Sequence, residues 1–266
     1  MNKTLYICIL ATFLYNNYLP YFIKSLKHFY LPNFSIKVII ISDKKQYDEY
    51  LYYPIGHFPY PFNTYLKSFI IQNALEYYNC SEDDYIMYVD ADTIIRKLDN
   101  YIFIEELLSQ NKLWFTISPW SNFQYTYEND ILKKNYPEVY IQNIQKQEFI
   151  QSSFWMGNIK LYNNFCKLCF SIELEFTKDW KNKRIPPMQD QSIITKIIHN
   201  NKDIYKVDYF IFNYYKNITL DDIHNYYNNT ITCNNTFNIN QYPYIFLIQK
   251  FNQDIKKSLR YSIKIN

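Results

Sequence analysis

The sequence predicts an α/β fold: a mostly parallel central sheet flanked by helices, built as a single domain over its 266 residues. Three observations lead there. Short apolar runs alternate with helical patterns in a β-α-β-α-β order through the first half of the chain. Two of those runs end directly on aspartate, "FSIKVIIISD" and "DYIMYVDAD". Hydrophobic residues make up 48%, enough for a sizeable core without disulfide or metal staples.

Each element has its own signal. Residues 4–11 form an apolar first strand, and the turn at Asn16 and Asn17 leads into "YLPYFIKSLKHFY", apolar at helical spacing. Residues 34–43 form a second buried strand, and residues 63–78 a long helix with Asn63 as its N-cap. "DYIMYVDAD" is the third strand, with Asp83 and Asp84 at its exposed far end. "YIFIEELLSQN" is a helix and "KLWFTISPW" a strand that stops at Pro119. From 121 to 148 the chain is polar and aromatic, a loop with one or two helices. "FIQSSFWMGN" is a strand, and "LYNNFCKLCFSIELEFTKDW" and "MQDQSIITKIIHN" carry helices. "DIYKVDYFIFNYY" is a strand or a pair, and the tail is a strand followed by a basic segment.

Composition excludes several classes. Two glycines rule out Gly-rich phosphate loops of either the dinucleotide or the Walker type. A net charge of +3 argues against a dedicated nucleic-acid binder, so no nucleic-acid partner is expected. Cys166 and Cys169 lack a second pair at zinc spacing and read as small apolar residues on a helix, in a reducing compartment. The four histidines are scattered, none at a triad spacing from Ser or Cys. The apolar N-terminus is shorter than a membrane span and reads as a strand, and no later run reaches about 20 apolar residues. The expectation is a protein with no membrane span, located in the cytoplasm.

The chemistry gathers at "DDYIMYVDADTIIRK". A buried strand runs into Asp90 and Asp92, two carboxylates that repel each other. On an extended backbone residues i and i+2 project the same way. In open α/β sheets ligands bind beyond the carboxyl ends of strands. The pair either caps a solvated turn or shares a hard cation with substrate oxygens, as Mg2+ and Mn2+ prefer. The second reading points to a nucleotide-diphosphate site of the nucleotide-sugar transferase kind.

Several segments, in order along most of the chain, together resemble the family 6 glycosyltransferases, the group that includes the blood-group A and B transferases and α1,3-galactosyltransferase. They are "ATFLYNNYLPYFIKSLKHF", "PYPFNTYLKSF", "YVDAD", "SSFWMGN", "DWKNKRIPPMQDQS" and "KFNQDIKKSLR". The resemblance implies a GT-A fold with a nucleotide-binding half at about 1–118, an acceptor and catalytic half at about 119–250, and a basic lid at about 251–266. It implies a retaining enzyme that moves Gal or GalNAc from a UDP-sugar to a glycan acceptor. It places donor contacts at Phe13, Leu14, Tyr15, Tyr18, Lys67, Asp90, Asp92, Ser152, Ser153 and Lys256. Asp90 and Asp92 become ligands of Mn2+ or Mg2+. Acceptor contacts fall on Ser118, Trp120 and Gln189, where this chain departs from the family's H-P-x-F-Y and Trp-His pair.

The family's glutamate beneath the anomeric carbon is Gln191 here, next to Asp190. An amide cannot be a carboxylate nucleophile, but its dipole can stabilise an oxocarbenium-like centre. Gln191 and Asp190 are therefore the expected catalytic residues. Two other readings stand beside this one: a GT-A enzyme with UDP-glucose in the family 8 manner, and a catalytically impaired relative that binds sugar or nucleotide. The missing transmembrane anchor implies a soluble enzyme of bacterial or viral type.

Overall fold

The structure, a computed structural model, describes residues 3–56, 64, 66–117, 150–180, 190–213 and 244–249. The expected Asn63 cap and the segment 121–148 lie outside the described residues. So do Ser118, Trp120, Gln189 and Lys256.

A seven-stranded sheet forms the centre. Its strands are β1 (Lys3–Ala11), β2 (Phe34–Ser42), β3 (Leu51–Pro54), β4 (Tyr85–Asp90), β6 (Leu113–Ile117), β7 (Ile150–Asn158) and β8 (Tyr205–Asp208). The spatial order is β3-β2-β1-β4-β7-β6-β8. All run the same way except β7, which is antiparallel to both β4 and β6. A second sheet joins β5 (Thr93–Ile95), β9 (Ile211–Asn213) and β10 (Leu247–Gln249) in the order β5-β10-β9. The helices are α1 (Leu19–Leu26), α2 (Lys67–Tyr77), α3 (Ile102–Ser109), α4 (Ile159–Trp180) and α5 (Asp190–Asn200), and Phe13–Tyr18 form a 3-10 turn before α1.

Alternation along the strands explains why both faces are covered. In β1, Leu5, Ile7 and Ile9 face one apolar cluster, and Tyr6 and Cys8 face the other. In β4, Met87 and Val89 face the first, Ile86 and Tyr88 the second. The first cluster is closed by α1, α3 and the small sheet, through Phe22, Leu107 and Phe246 among others. The second is closed by α2, α4 and α5, through Ile71, Phe165 and Ile194 among others. Strands buried on both faces are what a mostly parallel sheet requires.

Scarce glycine changes how helices stop. Asn79 follows α2 with φ 49, and Asn111 follows α3 with φ 51. After α2 the amide of Asn79 donates to the Glu76 carbonyl at 2.9 Å and that of Cys80 to the Leu75 carbonyl at 3.0 Å. This is the two-bond Schellman closure, with Asn in the left-handed position that glycine more often fills. Gly157 is kept for a steric reason. A Cβ there would stand 2.5 Å from the Lys112 carbonyl oxygen, across the β6–β7 pairing.

Three sequence expectations change. Helix α2 begins at Lys67 with Leu66 at the N-cap position, later than residue 63. Asp84 is partly buried and accepts from the Thr4 amide at 2.9 Å, so of the two only Asp83 is exposed. The strand carrying Asp90 ends there. Residues 91 and 92 form a turn, and the chain re-enters extended structure as β5. The extended i, i+2 geometry therefore does not hold for Asp90 and Asp92.

Candidate functional site

The carboxyl edge of β4 collects the polar residues. Asp90 follows Tyr88 by two positions and so leans toward the α2, α4 and α5 side. Its Oδ1 accepts from the Tyr88 hydroxyl at 2.6 Å and from Lys67 Nζ at 3.3 Å. Lys67, at the first turn of α2, also donates to the Ser152 carbonyl at 3.0 Å and lies 3.4 Å from Asp190 Oδ2. Its ammonium stands over the rings of Tyr88 and Trp155, at 5.3 and 5.9 Å from their centroids. Lys67 is thus a buried cation joining β4, β7 and α5.

Asp92 is buried, and the Gln249 amide nitrogen donates to its Oδ1 at 3.0 Å and to Asp90 Oδ2 at 3.4 Å. Register explains the reach. β10 pairs antiparallel with β5, and Gln249 stands opposite Thr93, the residue after Asp92. Ser25 ties β5 to α1, since its hydroxyl accepts from the Ile95 amide at 2.9 Å and donates to the Phe22 carbonyl at 2.7 Å.

Electrostatics in the cluster is unbalanced. Burial pushes the Asp190 carboxyl up to about 6, against the opposing pull of Lys67 and with help from Asp90. Burial pulls the Lys67 ammonium down, but Asp190 and Asp90 outweigh it and hold its pKa above the ordinary value. Burial, then Asp90, holds the Tyr88 phenol well up, so it stays a donor. Among the described residues the Lys67 ammonium faces two carboxyl groups, Asp90 and Asp190. Asp190 opens α5, where the helix N-terminus favours a negative charge.

The expected donor residues Phe13, Leu14, Tyr15 and Tyr18 lie in the 3-10 turn that follows β1, the strand paired with β4. Phe13 and Tyr15 are 49% and 42% exposed, Leu14 packs partly into the core, and Tyr18 is fully buried. Phe13 has φ 54, a costly conformation for a bulky side chain. Its amide donates to Asp43 Oδ1 at 3.1 Å, and Asn16 Nδ2 donates to the same oxygen at 2.7 Å. Burial favours the neutral Asp43 carboxyl, but these bonds outweigh it and hold its pKa below the usual value.

Ser152 and Ser153 are buried on β7, with the Ser153 hydroxyl donating to Gln151 Oε1 at 3.1 Å. Gln191 is half-buried in the first turn of α5, next to Asp190. The structure thus brings Lys67, Asp90, Ser152 and Asp190 together, with Asp92 joined through Gln249. Sequence reasoning missed Gln249, Tyr88 and Asp43. The signal for Gln249 was its place as the first polar residue after the buried run "IFLI".

Among the described residues no group of three or more His, Cys, Asp or Glu side chains is arranged to hold a metal ion. Asp90 and Asp92 supply hard oxygens that fit Mg2+ or Mn2+ only if a ligand completes the shell. No family model and no curated protein matches this chain. Fold and site together define an α/β protein with a mostly parallel sheet and an acidic, lysine-bridged cluster at its carboxyl edge. Among the described residues no helix is long and apolar enough to cross a membrane.

Proposed function

We propose that this chain is a retaining glycosyltransferase of the GT-A kind. It moves a hexose, Gal or GalNAc, from a UDP-sugar to a glycan hydroxyl and forms an α-linkage. The observation that carries the reading is the pair Asp90 and Asp92 at the carboxyl end of a central strand, with Lys67 and Asp190 gathered on it. The six sequence segments named above add to it.

Asp90 and Asp92 would hold Mn2+ or Mg2+, which neutralises charge on the leaving diphosphate. Lys67 fixes the Asp90 carboxylate, leaving its Oδ2 toward the Gln249 side. Exposed Phe13 and Tyr15 offer ring faces for the nucleoside. The bond from the anomeric carbon to the diphosphate oxygen breaks. The acceptor oxygen bonds that carbon on the same face, and its proton passes to the departing diphosphate. The Gln191 carbonyl dipole stabilises the positive centre between these events.

The amide at Gln191 favours a second reading, a relative that binds nucleotide without turnover. One experiment separates them. UDP-Gal, UDP-GalNAc, UDP-Glc and UDP-GlcNAc are each incubated with the protein and Mn2+, and UDP release is measured, with Gln191→Ala in parallel. Release from UDP-Gal or UDP-GalNAc, reduced in Gln191→Ala, is the expected result. Release from UDP-Glc alone would replace the donor assignment. UDP binding with no release from any donor would refute the transferase reading, and unchanged turnover in Gln191→Ala would refute the role of Gln191.

A further inference from the structure

We propose that Gln249 is a neutral third protein ligand for a divalent cation held by Asp90 and Asp92. The inference rests on reading that pair as a cation site. Gln249 ends β10 with 5% of its surface exposed, and backbone pairing pins it opposite Thr93. Its amide nitrogen is 3.0 Å from an oxygen of Asp92 and 3.4 Å from an oxygen of Asp90. That one group reaches both carboxylates, in the region where a shared cation belongs.

A primary amide has a donor end and an acceptor end of nearly the same shape. Half a turn about its last bond exchanges them without changing the volume filled. With no cation present, the nitrogen end faces the carboxylates and relieves their repulsion. With a divalent cation between them, the oxygen end is the attracted one. Hard cations accept amide carbonyls alongside carboxylates.

A second feature of the cluster points the same way. Asp190 is 5% exposed, and among the described residues its carboxylate has no close donor beyond the Lys67 ammonium, 3.4 Å from Oδ2, and the Ser152 hydroxyl. Buried acceptors are normally satisfied. Around Asp190 and Asp90 acceptor capacity exceeds what the described donors fill, and a cation with its waters takes up that excess. An amide suits the third position better than a carboxylate. It supplies an oxygen without adding another negative charge beside an incoming diphosphate.

The test uses the full chain, wild type, Gln249→Met and Gln249→Glu. MnCl2 is titrated with and without UDP, and free Mn2+ is read by electron paramagnetic resonance. Urea unfolding in EDTA is followed alongside. Loss of the amide in Gln249→Met weakens Mn2+ binding by about tenfold or more. Gln249→Glu keeps an oxygen and binds Mn2+ at least as tightly as wild type, while losing stability in EDTA. If wild type binds Mn2+ and Gln249→Met binds it equally well, the ligand role is overturned and the cation site survives. Equal weakening in both variants makes Gln249 a hydrogen-bond clamp only and also overturns it. Failure of wild type to bind Mn2+ beside bound UDP overturns the cation site together with this inference.

Discussion

Replacing Lys67 by Met removes the ammonium but keeps most of the buried stem, so the change is electrostatic more than steric. The magnitude follows from Asp190, which titrates at about 6 in the folded protein against an ordinary 3.8. A carboxyl raised in this way costs stability above its unfolded pKa, and the cost grows with pH until the folded pKa is passed. At about 1.36 kcal/mol per pH unit, wild type carries about 3 kcal/mol of this cost at pH 7.5. Without Lys67 the carboxyl folds protonated, and the cost rises to about 5 kcal/mol at pH 7.5. At pH 5, below the folded pKa, it is about 1–2 kcal/mol in both proteins. The substitution therefore costs about 2 kcal/mol more at pH 7.5 than at pH 5. The lost donor to the Ser152 carbonyl adds about 1–2 kcal/mol at either pH. The sum at pH 7.5, about 3–4 kcal/mol, lies in the range for breaking a buried ion pair. Urea unfolding in EDTA, followed by tryptophan fluorescence at both pH values, measures it. Adding Asp190→Asn to Lys67→Met removes the ionisation cost altogether and should recover about 5 kcal/mol at pH 7.5. A penalty that is the same at both pH values to within about 0.5 kcal/mol would refute the reasoning.

Two further outcomes are expected. Gly157→Ala forces a Cβ against the Lys112 carbonyl oxygen and the Leu113 backbone, neither of which is a flexible side-chain end. It should cost about 1–3 kcal/mol, read as a lower Tm, and an unchanged Tm would show that β6 and β7 can separate there freely. Asp43→Ala strips the Phe13 amide and Asn16 of their acceptor and should cost about 1–3 kcal/mol at pH 7. Because the Asp43 pKa is lowered by folding, its stabilisation is full above the unfolded value and is lost as pH falls through the folded one. The wild-type advantage over Asp43→Ala should therefore shrink in acid, and an advantage that grows there would contradict the assignment.

Much of the fold was legible because periodicity reports burial. β1, β4 and the second half of β2 from Val38 read as apolar runs, and the structure buries them on both faces. Strand direction was not legible. "FIQSSFWMGN" has the same pattern whichever way it runs, yet β7 is the one reversed strand of the large sheet. The short strands β3 and β5 passed unread because three or four residues are too few to show a period. At the site, Asp90 could be found because a carboxylate ending a buried run is conspicuous. The bend between Asp90 and Asp92 could not, since a two-residue turn without glycine or proline leaves no mark.

The sequence by itself determined a two-sided α/β sheet, no glycine-based phosphate cradle, and a pair of aspartates at a strand's end. These follow from local pattern and composition, which every short window of the chain carries. Only the tertiary structure decided what those aspartates face. Lys67, Asp190 and Gln249 stand 23, 100 and 159 residues from Asp90 along the chain. They converge because α2 and α5 cover one face of the sheet, and because β10 pairs with β5 just past the turn. Which charge is compensated, and by which donor, is a property of that packing, since an ammonium or an amide acts only over a few ångströms.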